Sequence, residues 1–297
     1  MTAAPSSLVI DTDIGSDVDD IVALATILGS PEIDLLGVTT VYGDPVQRAR
    51  TARYVLRLAG RPDTPVAVGA GRSLAGRPLR SMRHESPPLR EADDEEVDPA
   101  ASASAFLTQA VARRPGTVAV LAIGPLTNLA AALRADPGFA RDVHSIHVMG
   151  GSFAPPGGEY NMLCDPEAAA EVLGSGAPVV VTGLEITQRV RVDTGGIARI
   201  AAAGPLGAII SREMTRYAGL RDRTFVHPHD AVAAAGLLAP DLVATTAVRP
   251  VVEVDGPGAG HTRAAPDPAG SVRLVDDIDA EAVTALILDR VVRAGTH

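Results

Sequence analysis

The stretch LVIDTDIGSDVDDIVAL, residues 8 to 24, predicts both the start of the fold and the place of a site. A β-branched apolar run ends at Ile10 and an amphipathic run begins at Asp19, which is the pattern of a strand followed by a helix. Capping that helix needs one acid, Asp17 or Asp19, yet five aspartates fall within ten positions: Asp11, Asp13, Asp17, Asp19 and Asp20. Because ligands of open α/β sheets bind beyond the carboxyl ends of the strands, we expect the site here.

The aspartate cluster offers only oxygen ligands to a cation. Crowded carboxylates repel one another unless a hard cation neutralises them, and Ca²⁺ and Mg²⁺ prefer such ligands. The only cysteine, Cys164, allows neither an intrachain disulfide nor a zinc site built on paired thiolates. An EF-hand loop is excluded because, counted from Asp11, the required positions of glycine and glutamate do not match. The sequence therefore predicts a Ca²⁺ or Mg²⁺ site.

Outward from this motif, short β-branched runs alternate with alanine-rich amphipathic stretches, the pattern of parallel strands joined by helices. Strands are predicted at 7–11, 34–41, 65–68, 117–123, 144–149 and 178–182. Helices are predicted at 19–29, 46–59, 101–113, 126–134, 166–173, 206–218, 231–238 and 279–293. We expect a single α/β domain over 1–297, Rossmann-like, with a mostly parallel central sheet flanked by helices. The proline-rich and acidic segment 83–99 interrupts the alternation and is predicted to be a solvated loop or a lid.

Composition excludes several classes of protein. The 297 residues carry a net charge of −10 and are 46% hydrophobic, which indicates a folded protein without nucleic acid or an anionic membrane as its partner. All 26 basic residues are arginines, so chemistry that needs a lysine is impossible: pyridoxal-phosphate enzymes, imine aldolases, Walker-type ATPases and ordinary protein kinases. Without a signal peptide or a long apolar run, we expect a soluble cytoplasmic protein.

Six blocks of sequence, in order, resemble the inosine-uridine nucleoside hydrolase family, N-ribosidases with a bound Ca²⁺. The opening motif DTDIGSDVDDIVAL is followed by five further blocks over residues 8 to 240: VTTVYGD (38–44), IGPLTNLAAAL (123–133), VMGGSF (148–153), EYNMLCDPEAA (159–169) and HDAVAAA (229–235). The resemblance implies the nucleoside hydrolase fold and hydrolysis of a ribonucleoside to free base and ribose. It also implies a homodimer or homotetramer.

Roles for individual residues follow from the resemblance by position. Metal ligands would be Asp13, Asp20, the carbonyl of Ile123 and Asp230, and Asp13 would also take a proton from the attacking water held by Ca²⁺. Ribose would be gripped by Asp19, Glu159, Asn161 and Asp230, with Asp44 also assigned to substrate binding. His229 would act, as an imidazolium poised near neutral pH, as the general acid for the leaving base. Asp11, at the strand end, would support the site by hydrogen bonds.

Other interpretations stay open at this point. Asp230 could be a plain helix N-cap, Asn128 and Asp165 could be turn or cap residues, and His229 could be a surface or packing residue. A DxD phosphatase using Asp11, Asp13 and Mg²⁺, and a non-catalytic ribose-binding protein, are the alternative functions.

The chain also departs from the family pattern. Three residues separate Gly15 from Asp19 where one is usual, and Ile14 replaces a proline. Asp44 replaces an asparagine, and the loop 153–158 lacks one. The resemblance therefore implies retained ribose and metal residues but altered edges of the substrate site.

Overall fold

The computed structural model describes residues 7–81 and 89–296, and one eleven-stranded sheet runs through these ranges. Its strands are β1 (Ser7–Thr12), β2 (Asp34–Thr40), β3 (Val66–Val68), β4 (Val118–Ala122), β5 (Ser145–Met149), β6 (Ser152–Phe153), β7 (Pro156–Gly158), β8 (Val179–Thr182), β9 (Val243–Val252), β10 (His261–Pro266) and β11 (Val272–Ile278).

Twelve helices occupy the same ranges and cover the sheet. They are α1 (Asp19–Leu28), α2 (Pro45–Leu58), α3 (Ala103–Arg113), α4 (Thr127–Ala135), α5 (Phe139–Asp142), α6 (Tyr160–Cys164), α7 (Pro166–Leu173), α8 (Leu184–Thr187), α9 (Thr194–Ala201), α10 (Gly204–Leu220), α11 (His229–Leu238) and α12 (Ala280–Ala294). Among the described helices, none is both long and apolar enough to cross a lipid bilayer.

The strand order is β3-β2-β1-β4-β5-β8-β11-β9-β10-β7-β6. The first seven strands in this order pair in parallel, and the last four extend the sheet with antiparallel pairs. Every residue of β1 and β4 is buried, as expected for parallel strands with helices on both faces. The predicted mostly parallel sheet flanked by helices is confirmed.

Two apolar cores, one on each face, hold the sheet between its helices. Side chains alternate along β1, so Leu8 and Ile10 join one core while Val9 joins the other. The first core includes side chains of α1, α10, α11 and α12, and the second includes side chains of α3, α4 and α7. These layers fix the carboxyl ends of β1, β4 and β5 side by side.

All six predicted strands and all eight predicted helices exist, with ends displaced by at most a few residues. The elements that the pattern missed have physical reasons. Helices α5, α6 and α8 are only four or five residues long, too short to show a helical period, and α9 contains Gly195 and Gly196. Strand β9 contains Pro250, and its apolar residues are interrupted by Thr245, Thr246 and Arg249, so it lacks the continuous apolar run of the parallel strands.

Segment 83–99 is only partly described, because residues 83–88 lie outside the described ranges. Its remaining part contains a 3₁₀ turn at Arg90–Ala92 with Ala92 buried. Three polar contacts tie it to α2 and α10: Glu91 with Arg212 at 2.6 Å, Asp93 with Gln47 at 2.8 Å, and Glu95 with Arg57 at 2.7 Å. The described part of the acidic run is therefore largely exposed yet attached to two helices, and its role as a loop or a lid stays a prediction.

The central strand β4 generates a test of the packing. Leu121 is fully buried there, so Leu121→Ala should lower the free energy of unfolding by about 2–5 kcal/mol through lost contacts and a residual cavity. Leu79→Ala is the matched control, since Leu79 is 47% exposed, and it should change stability by less than about 0.5 kcal/mol. Urea denaturation of both variants measures the difference, and equal losses would contradict the described core.

Candidate active site

A cavity of about 580 Å³ opens beyond the carboxyl ends of the parallel strands, and one of its ends is lined by carboxylates. A cavity of this volume accommodates a small-molecule ligand. The acidic residues that line it are Asp13, Asp17, Asp19, Asp20, Glu159 and Asp230. Ile123, Asn161 and His229 line it as well, so the fold brings together every sequence-predicted site residue except Asp44.

Asp44 is not among the residues that line the cavity. Its side chain is exposed and caps α2, accepting a hydrogen bond from the backbone N–H of Gln47 at 3.0 Å. The assignment of Asp44 to substrate binding is therefore not supported, because the capping role accounts for its position before Pro45 at the helix start.

Asp11 lies fully buried beneath the cavity and supports it, in the role expected from the sequence. Its Oδ1 accepts hydrogen bonds from the hydroxyl of Thr39 and from Nδ2 of Asn128, the latter at 2.7 Å. Its Oδ2 is buried without a partner among the described residues, and burial raises the pKa of Asp11 to about 7.

Asn128 is a buried link and not the turn or cap residue that its position suggests. Besides Asp11, its amide donates to the carbonyl of Thr40 at 3.0 Å and accepts from the N–H of Ala70 at 2.9 Å. It thereby joins α4 to β1, β2 and the loop after β3. Asp165, by contrast, caps α7 as expected and also binds Thr127 and the N–H of Leu74.

Arg48, which the sequence analysis missed, supports the residue expected to act as the base. Its buried guanidinium donates to the carbonyls of Tyr42 at 2.6 Å and Ile14 at 3.1 Å and to the hydroxyl of Ser16 at 2.9 Å. Its Nη2 lies 3.9 Å from Oδ2 of Asp13. Tyr42 has a left-handed backbone, with φ of 64°, so Arg48 stabilises an uncommon turn beside Asp13.

The carboxylates raise one another's pKa values. Burial raises the pKa of Asp13 to about 7, Arg48 opposes that effect, and Asp17 and Glu159 add to it. Burial also raises the pKa values of Asp20 and Asp230 well above the ordinary range, reinforced in both cases by neighbouring aspartates. The negative charge of this end is therefore undercompensated by the protein's own cations.

Several of these acids sit at helix starts, where backbone N–H groups favour negative charge. Asp19 and Asp20 open α1, and Asp230 lies in the first turn of α11, whose N-cap is Pro228. Asp230 is therefore not the plain N-cap that the sequence left open, whereas Asp17 does accept the N–H of Asp19 at 3.2 Å.

Oxygen atoms of Asp17, Asp19 and Asp20 lie within 4.8 Å of one another, close enough to hold one cation. This set shares only Asp20 with the metal ligands implied by the family resemblance. The remaining implied ligands, Asp13, Asp230 and the carbonyl of Ile123, line the same cavity.

Glu159 and Asn161 belong to the short helix α6 and its cap. Glu159 is the N-cap and accepts hydrogen bonds from the N–H groups of Asn161 at 2.9 Å and Gly151 at 3.1 Å. The amide of Asn161 donates to the carbonyls of Ile123 at 3.3 Å and Met149 at 3.2 Å. Both side chains are thus fixed in direction before any ligand binds.

His229 lines the cavity, but its environment disfavours the imidazolium expected from the sequence. Its Nδ1 lies 2.7 Å from Oγ1 of Thr187. Burial lowers the pKa of His229 to about 3, and the positive charges of His227, Arg221 and Arg223 act in the same direction. This environment favours a neutral ring, and the acid role expected of His229 stays a prediction.

The other end of the cavity is basic and aromatic, and the sequence analysis did not predict it. It is formed by Arg191 and by side chains from residues 217–227: Tyr217, Arg221, Arg223, Phe225 and His227. The available signal was the stretch RYAGLRDRTFVHPHD at 216–230, where basic and aromatic residues crowd directly ahead of Asp230.

Comparison with known proteins decides the family. The family model of the inosine-uridine preferring nucleoside hydrolases matches residues 8–285. The chain belongs to this family. Uridine nucleosidase 1 of Arabidopsis thaliana is 34% identical over 86% of this chain and 80% of its own length. Non-specific ribonucleoside hydrolase RihC of Salmonella paratyphi B is 32% identical, with 84% of each chain covered.

A solved structure agrees with the sequence relatives. The plant nucleoside hydrolase PpNRh1 superposes with a TM-score of 0.85 at 30% identity, covering 97% of this chain and 99% of its own. As a nucleoside hydrolase, this chain is a glycosidase that hydrolyses the N-glycosidic bond of ribonucleosides. The phosphatase and the non-catalytic ribose-binding protein do not fit this membership.

The buried acids predict how the stability of the nucleoside hydrolase depends on pH. Acids with raised pKa values bind protons more tightly when folded, so the stability they contribute is lost as pH rises through the folded values. Burial lowers the pKa values of His227 and His229, so these two residues make stability rise with pH, but chiefly below about pH 6.5. The chelator-treated protein should therefore lose roughly 1–3 kcal/mol of unfolding free energy between about pH 6.5 and 8.

Urea titrations at several pH values in that window measure this loss. A divalent cation in excess should remove most of it, because the cation replaces protons among the carboxylates. If the free energy of unfolding of the chelated protein stays level or rises across this pH range, the negative charge of the site is not undercompensated and the interpretation is wrong.

Proposed function

We propose that Asp13 is the general base of the hydrolysis. The observation that carries this is the convergence of six carboxylates on one cavity, with Asp13 directly after β1. A carboxylate held beside an attacking water can accept its proton, and the guanidinium of Arg48, 3.9 Å from Oδ2 of Asp13, restricts the orientation of that carboxylate. Water would add its oxygen to C1′ of ribose while its proton passes to Asp13, and the C1′–N bond would break with its electron pair leaving on the base.

The sugar would be held by side chains whose directions are already fixed. Asp19 would accept a hydrogen bond from a ribose hydroxyl, and Glu159 and Asn161 would bind the 5′ side. Asp230, in the first turn of α11, would contact the 3′ hydroxyl. Breaking an N-ribosidic bond places positive charge on the ribosyl group, and these buried carboxylates stabilise that charge.

Ca²⁺ is the cation that we propose for this site. The ligands would be the carboxylates of Asp13, Asp20 and Asp230 and the carbonyl of Ile123, an all-oxygen set of the kind that Ca²⁺ prefers. The fit rests on the buried acids themselves, whose pKa values are raised first by burial and then by neighbouring carboxylates, so that a bound cation would favour their ionised forms. When bound, Ca²⁺ supplies the missing positive charge and polarises the oxygen atoms around it.

His229 is proposed as a neutral group beside the leaving base, positioned by Thr187. With its pKa lowered to about 3, it can orient the base by a hydrogen bond but holds no second proton to donate at neutral pH.

A homodimer or homotetramer is proposed on the basis of the family resemblance. Light scattering after size-exclusion chromatography would test this oligomeric state.

Replacing the proposed base tests the function directly. Asp13→Asn should lower kcat for inosine and uridine by roughly 10³-fold or more, because an amide cannot accept the proton of water. Asp44→Asn is the matched control: it makes the same chemical change at an exposed helix cap, where asparagine caps equally well, and should stay within about threefold of the parent.

Release of free base and reducing sugar measures both variants of this pair, and circular dichroism verifies that each is folded. A folded Asp13→Asn enzyme with parental kcat would remove Asp13 from the role of base. A parental enzyme that cleaves no nucleoside would contradict the proposed function.

The proposed cation has a test that does not depend on activity. The protein purified without chelator should contain about one Ca²⁺ per chain, and Asp20→Asn should lose it, because Asp20 is expected to contribute both carboxylate oxygens. Elemental analysis measures the metal content of both proteins, with Asp44→Asn again as the control. Stoichiometric zinc, or full calcium in Asp20→Asn, would show that the ligand assignment is wrong.

A further inference from the structure

Three arginines line the cavity together with its carboxylates. Arg191 follows α8, Arg221 follows the end of α10, and Arg223 lies in the loop before α11; all three line the cavity that also contains Asp13 and Asp230. The basic wall, as we call Arg191, Arg221 and Arg223, thus places positive charge in the same cavity as the carboxylates.

The ion pairs found among the described residues do not include the basic wall, but Arg221 is linked to a carboxylate through Tyr217, whose hydroxyl donates to Oδ2 of Asp17 at 3.2 Å. The chain has 36 acidic residues against 26 basic ones, so it contains enough carboxylates to pair with these arginines. Arg221 donates to the hydroxyl of Tyr217, while its buried Nε has no hydrogen-bond partner among the described residues. A buried guanidinium N–H without an acceptor is costly unless a ligand supplies one.

Aromatic rings hold the guanidinium groups in place. Arg191 and Arg223 both contact the ring of Phe225, with their Cζ atoms 4.7 Å and 5.6 Å from its centroid, and Arg221 lies 4.7 Å from the centroid of Tyr217. Stacking of this kind leaves the in-plane N–H donors free for an acceptor. All three arginines also lower the pKa of His227, after the larger effect of burial, so their charges act on the same space.

We propose that the basic wall selects nucleosides whose base carries a negative charge at neutral pH, such as an ionised oxopurine or a pyrimidine with a carboxylate. This rests on the proposed function, because the acidic end must hold the ribose for the base to reach the arginines. The carboxylates that would hold the ribose repel an anion, so a negatively charged base is better accommodated beside the arginines that line the same cavity. Guanidinium groups bind planar anions through paired N–H donors.

The same wall also bears on the departure of the base. When the C1′–N bond breaks, the base nitrogen keeps the bonding electron pair and gains negative charge, and the hydroxyl of water becomes bonded to C1′. The proton of that water goes to Asp13, and the departed base is later protonated from solvent. Guanidinium charge beside the base would offset the growing negative charge during this step.

Matched pairs of nucleosides test the selectivity. Xanthosine, which ionises near neutral pH, is compared with inosine, and 5-carboxyuridine is compared with its neutral 5-carboxamide. The parent enzyme should favour the anionic member of at least one pair by about 10-fold or more in kcat/KM, the size expected of hydrogen bonds to a charged group. The pair that responds identifies the source of the charge, oxopurine or pyrimidine carboxylate.

Variants assign the selectivity to the wall. In Arg191→Gln/Arg223→Gln the anionic-to-neutral ratio of kcat/KM should fall towards one, and in Arg221→Gln it should fall as well. Arg199→Gln makes the same change of charge on α9, away from the cavity, and should leave the ratio unchanged. A parent that favours the neutral member of both pairs, or a ratio that survives in the wall variants, would overturn the proposal.

Failure of the two proposals can be told apart. Cleavage of inosine and uridine without preference for anions would refute the inference and leave the proposed function standing. An enzyme that cleaves none of the five nucleosides would refute the proposed function, and the inference with it.

Discussion

Repulsion among buried carboxylates at the end of β1 is the constraint on which the site depends. Desolvation and mutual repulsion raise the pKa values of Asp11, Asp13 and Asp20 together, so their ionised forms are unfavourable in the protein by itself. The fold offsets part of this with the start of α1, with hydroxyl donors from Thr12 and Thr39, and with one guanidinium. The negative charge that remains uncompensated favours the binding of a cation beside these carboxylates.

Two buried polar residues transmit the geometry of the sheet to the site. Asn128 ties Asp11 to β2 and to the loop after β3, and Arg48 ties the loop after Asp13 to the turn at Tyr42. Neither residue needs to touch a substrate in order to matter. Each satisfies several backbone groups at once, so its loss would leave buried carbonyls without donors beside the carboxylates.

The site residues that lie close together in the sequence could be predicted from the sequence, whereas those that come from distant parts of the chain could not be placed by local pattern. Asp13, Asp19 and Asp20 lie in one short motif, and both their proximity and their place at a strand end could be inferred locally. Asp230 could be placed with them only through the family resemblance, because the packing of α11 against α1 involves residues some two hundred positions apart. Composition excluded lysine chemistry and disulfides without any structure at all.

The predictions that failed concern solvation and tertiary contacts. Asp44 occupies a family motif, but whether its side chain faces the cavity or caps α2 depends on the turn before it. The protonation state of His229 follows from burial and from arginines that only the folded chain brings near. Strands β9, β10 and β11 escaped detection because they are partly exposed and lack a continuous apolar run; antiparallel pairs join β9 to both of the others, while β11 also pairs in parallel with β8.

The two ends of the cavity can be understood as parts of one electrostatic arrangement. Hydrolysis separates charge along the C1′–N bond, positive on the sugar and negative on the base, and this cavity has carboxylates at one end and guanidinium groups at the other. Such a preset field stabilises the separated charges without any proton from His229. Burial is the main reason that the imidazolium of His229 is disfavoured, and the charges of Arg221 and Arg223 act in the same direction, so the arginines that suit an anionic base also favour a neutral ring.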